Sequence, residues 1–311
     1  MKLFNLAVIG VGSIAEKHLE VLTKSKIIKL YSITSRNSKN CLPLKKKYKF
    51  KIIHKNINEM LTDTNIDSFY ILVPPSKMYE ILIKIIPLKK IFFCEKPPAL
   101  NFKQLKKIEK KLIKYKTPNL LGLNRRYYSI FHKALKEIKK YGELKGMIIE
   151  GNERFWKIEQ NKNKLVLNNW LFANSCHTID LIRFFGGEID SISSHTSKIN
   201  GKKRNFTLSF KTQQNVIGTY NAFWYSPGGW SVKLYGNGIS VIFEPLESGY
   251  YLYKSGKKKM ISPSKNDLKY KMGFFEQINA FEKLLLNNKN NWPAQDIQSS
   301  VKTYEIIQKI L

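Results

Sequence analysis

Leu3, Leu6, Ala7, Val8 and Ile9 form an apolar run near the start of the chain, short and uninterrupted, as a strand buried on both faces requires. It leads into Gly10-Val11-Gly12-Ser13-Ile14-Ala15, and helix signals follow at once. Apolar runs recur at residues 27–33, 69–73 and 91–94, alternating with helix-like segments. That alternation predicts a doubly wound parallel sheet. Asn101 with Gln104 predicts a capping box, and Leu105, Ile108 and Leu112 share one face of the helix it opens.

Beyond residue 122 the pattern changes. Strand-like segments at 147–151, 206–210, 216–223, 231–235 and 239–243 follow one another with Gly and Asn turns such as Tyr235-Gly236-Asn237-Gly238 between them, which predicts a largely antiparallel sheet. Two helical stripes close the chain, Phe274, Ile278, Phe281 and Leu285, then Ile297, Val301, Tyr304 and Leu311. Both predict core. The chain of 311 residues therefore divides into two expected domains, 1–121 and 122–311.

Composition excludes several classes. No apolar run reaches the length of a membrane span, and residues 1–15 read as the first strand and loop of a domain rather than a leader. Cys41, Cys94 and Cys176 make an odd, widely spaced set, which fits neither a disulfide framework nor a thiolate metal site and points to a reducing, cytoplasmic setting. The net charge is +31, but it is spread, +17 over residues 1–123 and +14 over the rest. Only six of the 54 basic residues are Arg, the side chain suited to bidentate base and phosphate recognition. Enrichment in Lys, Asn and Ile accounts for the charge as coding bias, so no specific nucleic-acid partner is expected, while an anionic substrate stays compatible.

The glycine loop carries the first chemistry. Gly10 permits a tight turn, Gly12 lets the backbone approach a pyrophosphate, and Ala15 keeps the next helix close, so that the amides of Ser13 and Ile14 at its N-terminus face phosphates. Cofactor choice is read at the end of the second strand, where an acidic side chain would hold a ribose 2′-hydroxyl. No Asp or Glu lies between Glu20 and Glu59, and Ser35 and Arg36 stand there instead. This favours NADP over NAD. Pro74 and Cys94-Glu95-Lys96-Pro97-Pro98 fall at the ends of later strands, where ligands of such sheets bind.

These motifs together resemble the glucose-fructose oxidoreductase / inositol dehydrogenase (Gfo/Idh/MocA) family. The residues that carry the resemblance are the Gly10 to Ala15 loop with His18, Glu95-Lys96-Pro97, Asn124-Arg125-Arg126, and His177-Thr178-Ile179-Asp180. The resemblance implies an α/β protein: an N-terminal Rossmann-type doubly wound parallel sheet that binds NAD(P), then an α/β domain whose open sheet mediates homodimers or homotetramers. It implies hydride exchange with a sugar, cyclitol or nucleotide sugar, with Lys96 as the proton-handling residue, His177 as partner acid or base, and Asp180 orienting it. Glu95 would position Lys96. Asn124, Arg125, Arg126, Asn174, Tyr225 and Trp230 are the candidate substrate residues; for the aromatic ones, packing is the competing role. A phosphorylated or nucleotide-linked sugar of surface-polysaccharide synthesis suits the two arginines. No metal is expected.

The chain also departs from the family pattern. Ala173 and Ser175 stand where an aspartate and a glycine are usual, four and two residues before His177, and Met78 stands where a histidine is common. The alternative is therefore a catalytically silent dinucleotide-binding scaffold.

Overall fold

The computed structural model describes residues 2–160 and 163–311. They fall into two compact units, Met1–Asn124 with Lys269–Val301, and Arg125–Leu268 with Lys302–Leu311.

In the first unit, strands β1 (Phe4–Ile9), β2 (Ile28–Thr34), β3 (Ile52–Ile53), β4 (Ser68–Ile71), β5 (Ile91–Glu95) and β6 (Asn119–Gly122) form one sheet in the order β3-β2-β1-β4-β5-β6. Every pairing is parallel. The order reverses between β1 and β4, and the crevice outside the carboxyl ends at such a switch point is where ligands bind. Gly10, Ser35 and Lys96 each sit just past a strand end on that edge. Asn101 caps the helix Phe102–Tyr115 by accepting from the Gln104 amide at 2.9 Å, and Leu105, Ile108 and Leu112 are its buried face.

The chain first leaves this unit after Asn124, and residues 269–301 return to it. The cause is the stripe on the helix Phe274–Asn287. Phe274, Ile278, Phe281 and Leu285 join the core built on Leu6, Val8, Tyr70 and Phe93. Tyr70 and Phe93 stack with centroids 4.1 Å apart, and Phe281 meets Tyr70 edge-on at 5.4 Å. A helix with so apolar a face has to bury it somewhere, and the sheet offers the flat aromatic surface.

The second unit holds β7 (Leu144–Gly151), β8 (Ile189–Ile199), β9 (Lys202–Thr212), β10 (Ile217–Phe223), β11 (Trp230–Gly236), β12 (Ile239–Phe243), β13 (Gly249–Tyr253) and β14 (Lys258–Met260). Their order is β14-β13-β12-β11-β7-β10-β9-β8. Only β7 with β10 is parallel; the other pairings are antiparallel. The five anticipated strands are present. β8, β13 and β14 were not anticipated, and β8, with the sequence IDSISSHTSKI, shows why: it has no buried residue and so no apolar alternation to read. In the helix Ile297–Ile310, Ile307 and Ile310 are buried, whereas Leu311, expected on that face, is half exposed.

No disulfide joins the three cysteines, which are all buried. Among the described residues no helix is long and apolar enough to cross a membrane, and no cluster of three or more His, Cys, Asp or Glu is placed to hold a metal.

Phe281→Ala should lower the unfolding free energy by about 3–5 kcal/mol, the usual cost of emptying a fully buried aromatic site. Urea unfolding followed by circular dichroism reads this as a lower midpoint at unchanged slope.

Candidate functional site

The turn after β1 is set by backbone sterics. Gly10 has φ +111°, and a Cβ there would lie 2.4 Å from the carbonyl oxygen of Leu72, so only glycine fits. Its amide donates to Thr34 O at 2.9 Å. Gly12, the N-cap of the helix Ser13–Leu22, differs: φ is −71°, and a Cβ built there meets nothing within 4 Å. Protein packing does not demand glycine at 12. Gly12 and Ser13 are exposed, Ile14 is half-buried and Ala15 is fully buried. The result is an open helix N-terminus with free space over its first amides, and these residues fit a pyrophosphate.

Ser35 follows β2, and its hydroxyl donates to Asn37 O at 2.6 Å. Arg36 beside it is exposed. Pro74 is exposed at the N-cap of the helix Pro75–Ile85. Met78 in that helix is fully buried, a core residue.

The Glu95–Lys96 segment is tied to the glycine-loop helix by a buried imidazole. His18 Nε2 lies 2.9 Å from Glu95 Oε1, and His18 Nδ1 lies 2.9 Å from the Tyr70 hydroxyl. A carboxylate only accepts, so Nε2–H donates to it, and with Nδ1 paired to the Tyr70 hydroxyl both ring nitrogens have partners. Phe274 stacks on the ring at 4.3 Å. Glu95 Oε2 in turn accepts from the Lys96 amide at 3.2 Å. Lys96 is half-buried, and the Lys96–Pro97 peptide is cis. Burial, then the charge of Glu95, pushes the adjacent Cys94 thiol well up, so it is an inert core group.

In the second unit three expected residues far apart in sequence come together. Arg125 Nη1 lies 2.8 Å from His177 Nε2, the guanidinium sits 5.1 Å from the Trp230 ring centroid, and the His177 and Trp230 rings are 6.2 Å apart. An arginine only donates, so His177 Nε2 is the acceptor and the neutral imidazole carries its proton on Nδ1.

Asp180 does not perform the role its spacing suggested. Its carboxylate receives Arg126 Nε at 2.6 Å and Nη2 at 2.9 Å, with Thr303 donating at 2.9 Å. This is a bidentate, almost fully buried pair. Removal of either partner would strand a charge in a dry interior, so the pair is architectural. Arg126 is thereby committed to Asp180, and Arg125 is the arginine that faces His177.

Asn124 donates to Met272 O at 3.1 Å within the first unit and is buried, a tether rather than a substrate contact. The Tyr225 hydroxyl donates to Glu159 at 2.8 Å. His177 lies in the first turn of the helix Cys176–Gly186, and a π-helical turn, Leu171–Ser175, precedes it; such turns are frequent at functional sites. Asn174 within that turn donates to Glu153 Oε1 at 2.9 Å. Glu153, buried just past β7, was missed by the sequence reading, whose only signal there was a charged pair at a strand end. Lys96 and His177 belong to different units.

The model of the oxidoreductase family with an NAD-binding Rossmann fold, Gfo/Idh/MocA, matches residues 4–119. Myo-inositol 2-dehydrogenase of Thermotoga maritima is 29% identical over 139 residues, which is 45% of this chain and 41% of that protein. Among solved structures, a dehydrogenase from Chromobacterium violaceum has TM-score 0.85 at 15% identity, covering 100% of this chain and 94% of the other. Levoglucosan dehydrogenase in complex with NADH and L-sorbose has TM-score 0.79 at 14% identity, covering 100% and 97%. The sheet order and the glycine turn define a Rossmann-type dinucleotide-binding fold. Over residues 4–119 the chain is similar to the NAD-binding Rossmann domain of the Gfo/Idh/MocA family.

Gly12→Val should weaken NAD(P)H binding by at least about tenfold, or roughly 1.4 kcal/mol. The unfolding midpoint should stay near that of the wild type, because a Cβ at this exposed position meets no protein atom within 4 Å. Fluorescence titration and thermal unfolding of the same sample check both halves.

Proposed function

We propose that the protein is an NADP-dependent dehydrogenase or reductase, with NAD as the second choice, that exchanges a hydride with a hydroxyl or keto carbon of a sugar, cyclitol or nucleotide sugar. The observation that carries this reading is the Tyr70–His18–Glu95 chain, which fixes Lys96 beside the glycine-loop helix. Bound nicotinamide would supply the hydride acceptor. Lys96 Nζ takes the hydroxyl proton as the carbon is oxidised and returns it in reduction. His177, neutral with Nε2 as an acceptor, and Arg125 bind and orient the oxygen-rich substrate, with Trp230 offering an apolar face to a sugar ring.

NADP is favoured by exposed Arg36 and by the lack of an acidic residue after β2. Nucleotide-linked or phosphorylated sugars of surface-polysaccharide synthesis remain the favoured substrates, because Arg125 supplies a cation to the site. We place the protein in the cytoplasm, as a homodimer or homotetramer through the open face of the second sheet, where Ile217, Tyr235 and Leu252 are exposed on neighbouring or nearby strands.

One observation favours a second reading, a dinucleotide-binding scaffold without turnover: Ala173 supplies no carboxylate ahead of His177.

NADPH and NADH titrations followed by turnover with keto-sugars, cyclitols and nucleotide sugars separate the two readings. Oxidation that falls at least about 100-fold in Lys96→Ala is expected for a general acid-base residue, and binding without turnover by any of these favours the scaffold. Absence of binding by either cofactor overturns both. Arg36→Ala should weaken NADPH about tenfold and leave NADH unaffected.

A further inference from the structure

Ala173 is buried and its methyl carries no polar atom, yet a carboxylate lies close by. Glu153 is only 7% exposed, and Asn174, the residue after Ala173, donates to it. A carboxylate so buried is retained only where donors satisfy it. Ionised, it accepts and never donates, so Asn174 has to turn Nδ2 toward Glu153. That choice points Oδ1 away from Glu153 within the amide plane. An amide whose two ends are otherwise interchangeable is thus oriented by charge.

Tyr220 is fully buried nearby, and burial raises its phenol pKa. Its hydroxyl is engaged with Thr178 at 3.3 Å. Asn174 itself sits in the π-helical turn, three residues before His177. A π turn inserts one extra residue into a helical repeat and so changes which side chain faces a given direction.

We propose that Glu153 is a positioning residue and that the Glu153–Asn174 pair supplies the hydrogen-bond acceptor that position 173 lacks. Asn174 Oδ1 accepts from a substrate hydroxyl beside His177, and Glu153 holds the amide in that orientation. This rests on the dehydrogenase reading. The site then takes polyhydroxylated rings by a neutral acceptor, with the negative charge one residue removed from the substrate.

A charge swap tests it. Asn174→Asp sets two carboxylates against each other and should lower kcat/KM about 100-fold, with a rise in KM carrying part of the loss. The double variant Glu153→Gln/Asn174→Asp re-creates an amide-to-carboxylate bond in the opposite sense, leaves one carboxylate oxygen for the substrate, and should recover most of that loss. The probes are myo-inositol, levoglucosan and UDP-glucose with NADP and NAD, and NADPH affinity and the unfolding midpoint are measured on every variant. Recovery in the double variant at unchanged NADPH affinity and midpoint supports the assignment. Wild-type turnover that Asn174→Asp leaves intact overturns the assignment alone, as does a loss that the swap does not recover or that follows the unfolding midpoint. A wild-type protein that binds cofactor but oxidises none of the probes overturns the dehydrogenase reading and the assignment with it.

Discussion

A single buried imidazole sets the geometry of the nucleotide-binding unit. His18 is fully buried, and both ring nitrogens are committed, one to Glu95 and one to Tyr70. The two partners lie 77 and 52 residues away in sequence, so the contact ties the first helix to β4 and to the end of β5. Glu95 is half-buried, and a donor offsets the desolvation of its carboxylate. Because Glu95 has that donor, its second oxygen is free to take the Lys96 amide, and the lysine backbone is held where the strand ends. Phe274 covers the ring from the returning helix, so the C-terminal segment is part of the support for a motif near residue 95.

The second unit solves a different problem with two adjacent arginines. Arg126 is almost completely desolvated, and its guanidinium geometry is used in full by both oxygens of Asp180. Such a pair adds little net stability, since desolvation cancels most of its attraction. What it provides is direction. With Arg126 locked inward, the preceding residue in the same 3-10 turn is turned elsewhere, and Arg125 meets His177 and Trp230. A lysine at 126 could not make the bidentate contact and would leave that turn less defined.

Local signals were legible wherever one residue's own conformation or periodicity decided the matter. Gly10, the first strands, the Asn101 cap and the stripe at Phe274 belong to this group, because sterics, alternation and capping act over a few residues. Contacts chosen by long-range competition were not legible. The stripe on 274–285 showed that the helix is buried but not against which sheet, and it returned to the first unit. Asp180 stands three residues from His177, a spacing that places them on one face, yet the stronger demand came from Arg126, 54 residues earlier. Asn124 went the same way, to Met272. Glu153 had no motif at all: its burial is a product of the fold.

The charge of the chain has the same two-level character. Among the described residues no lysine is buried, whereas Arg126, Arg183 and Arg204 are. Each buried arginine has a planar partner suited to its fork or its face: Asp180 for Arg126, Glu188 for Arg183, and the Phe155 and Trp224 rings for Arg204. Lysine, with a strongly hydrated point charge, stays mostly at the surface, Lys96 being half-buried, and there one cation replaces another with little consequence. The excess of +31 is therefore a property of the solvated shell, and the site is governed by a few groups whose partners the fold dictates. A bias in overall composition can change that shell freely and leave the arginine-built interior, and the chemistry it orients, untouched.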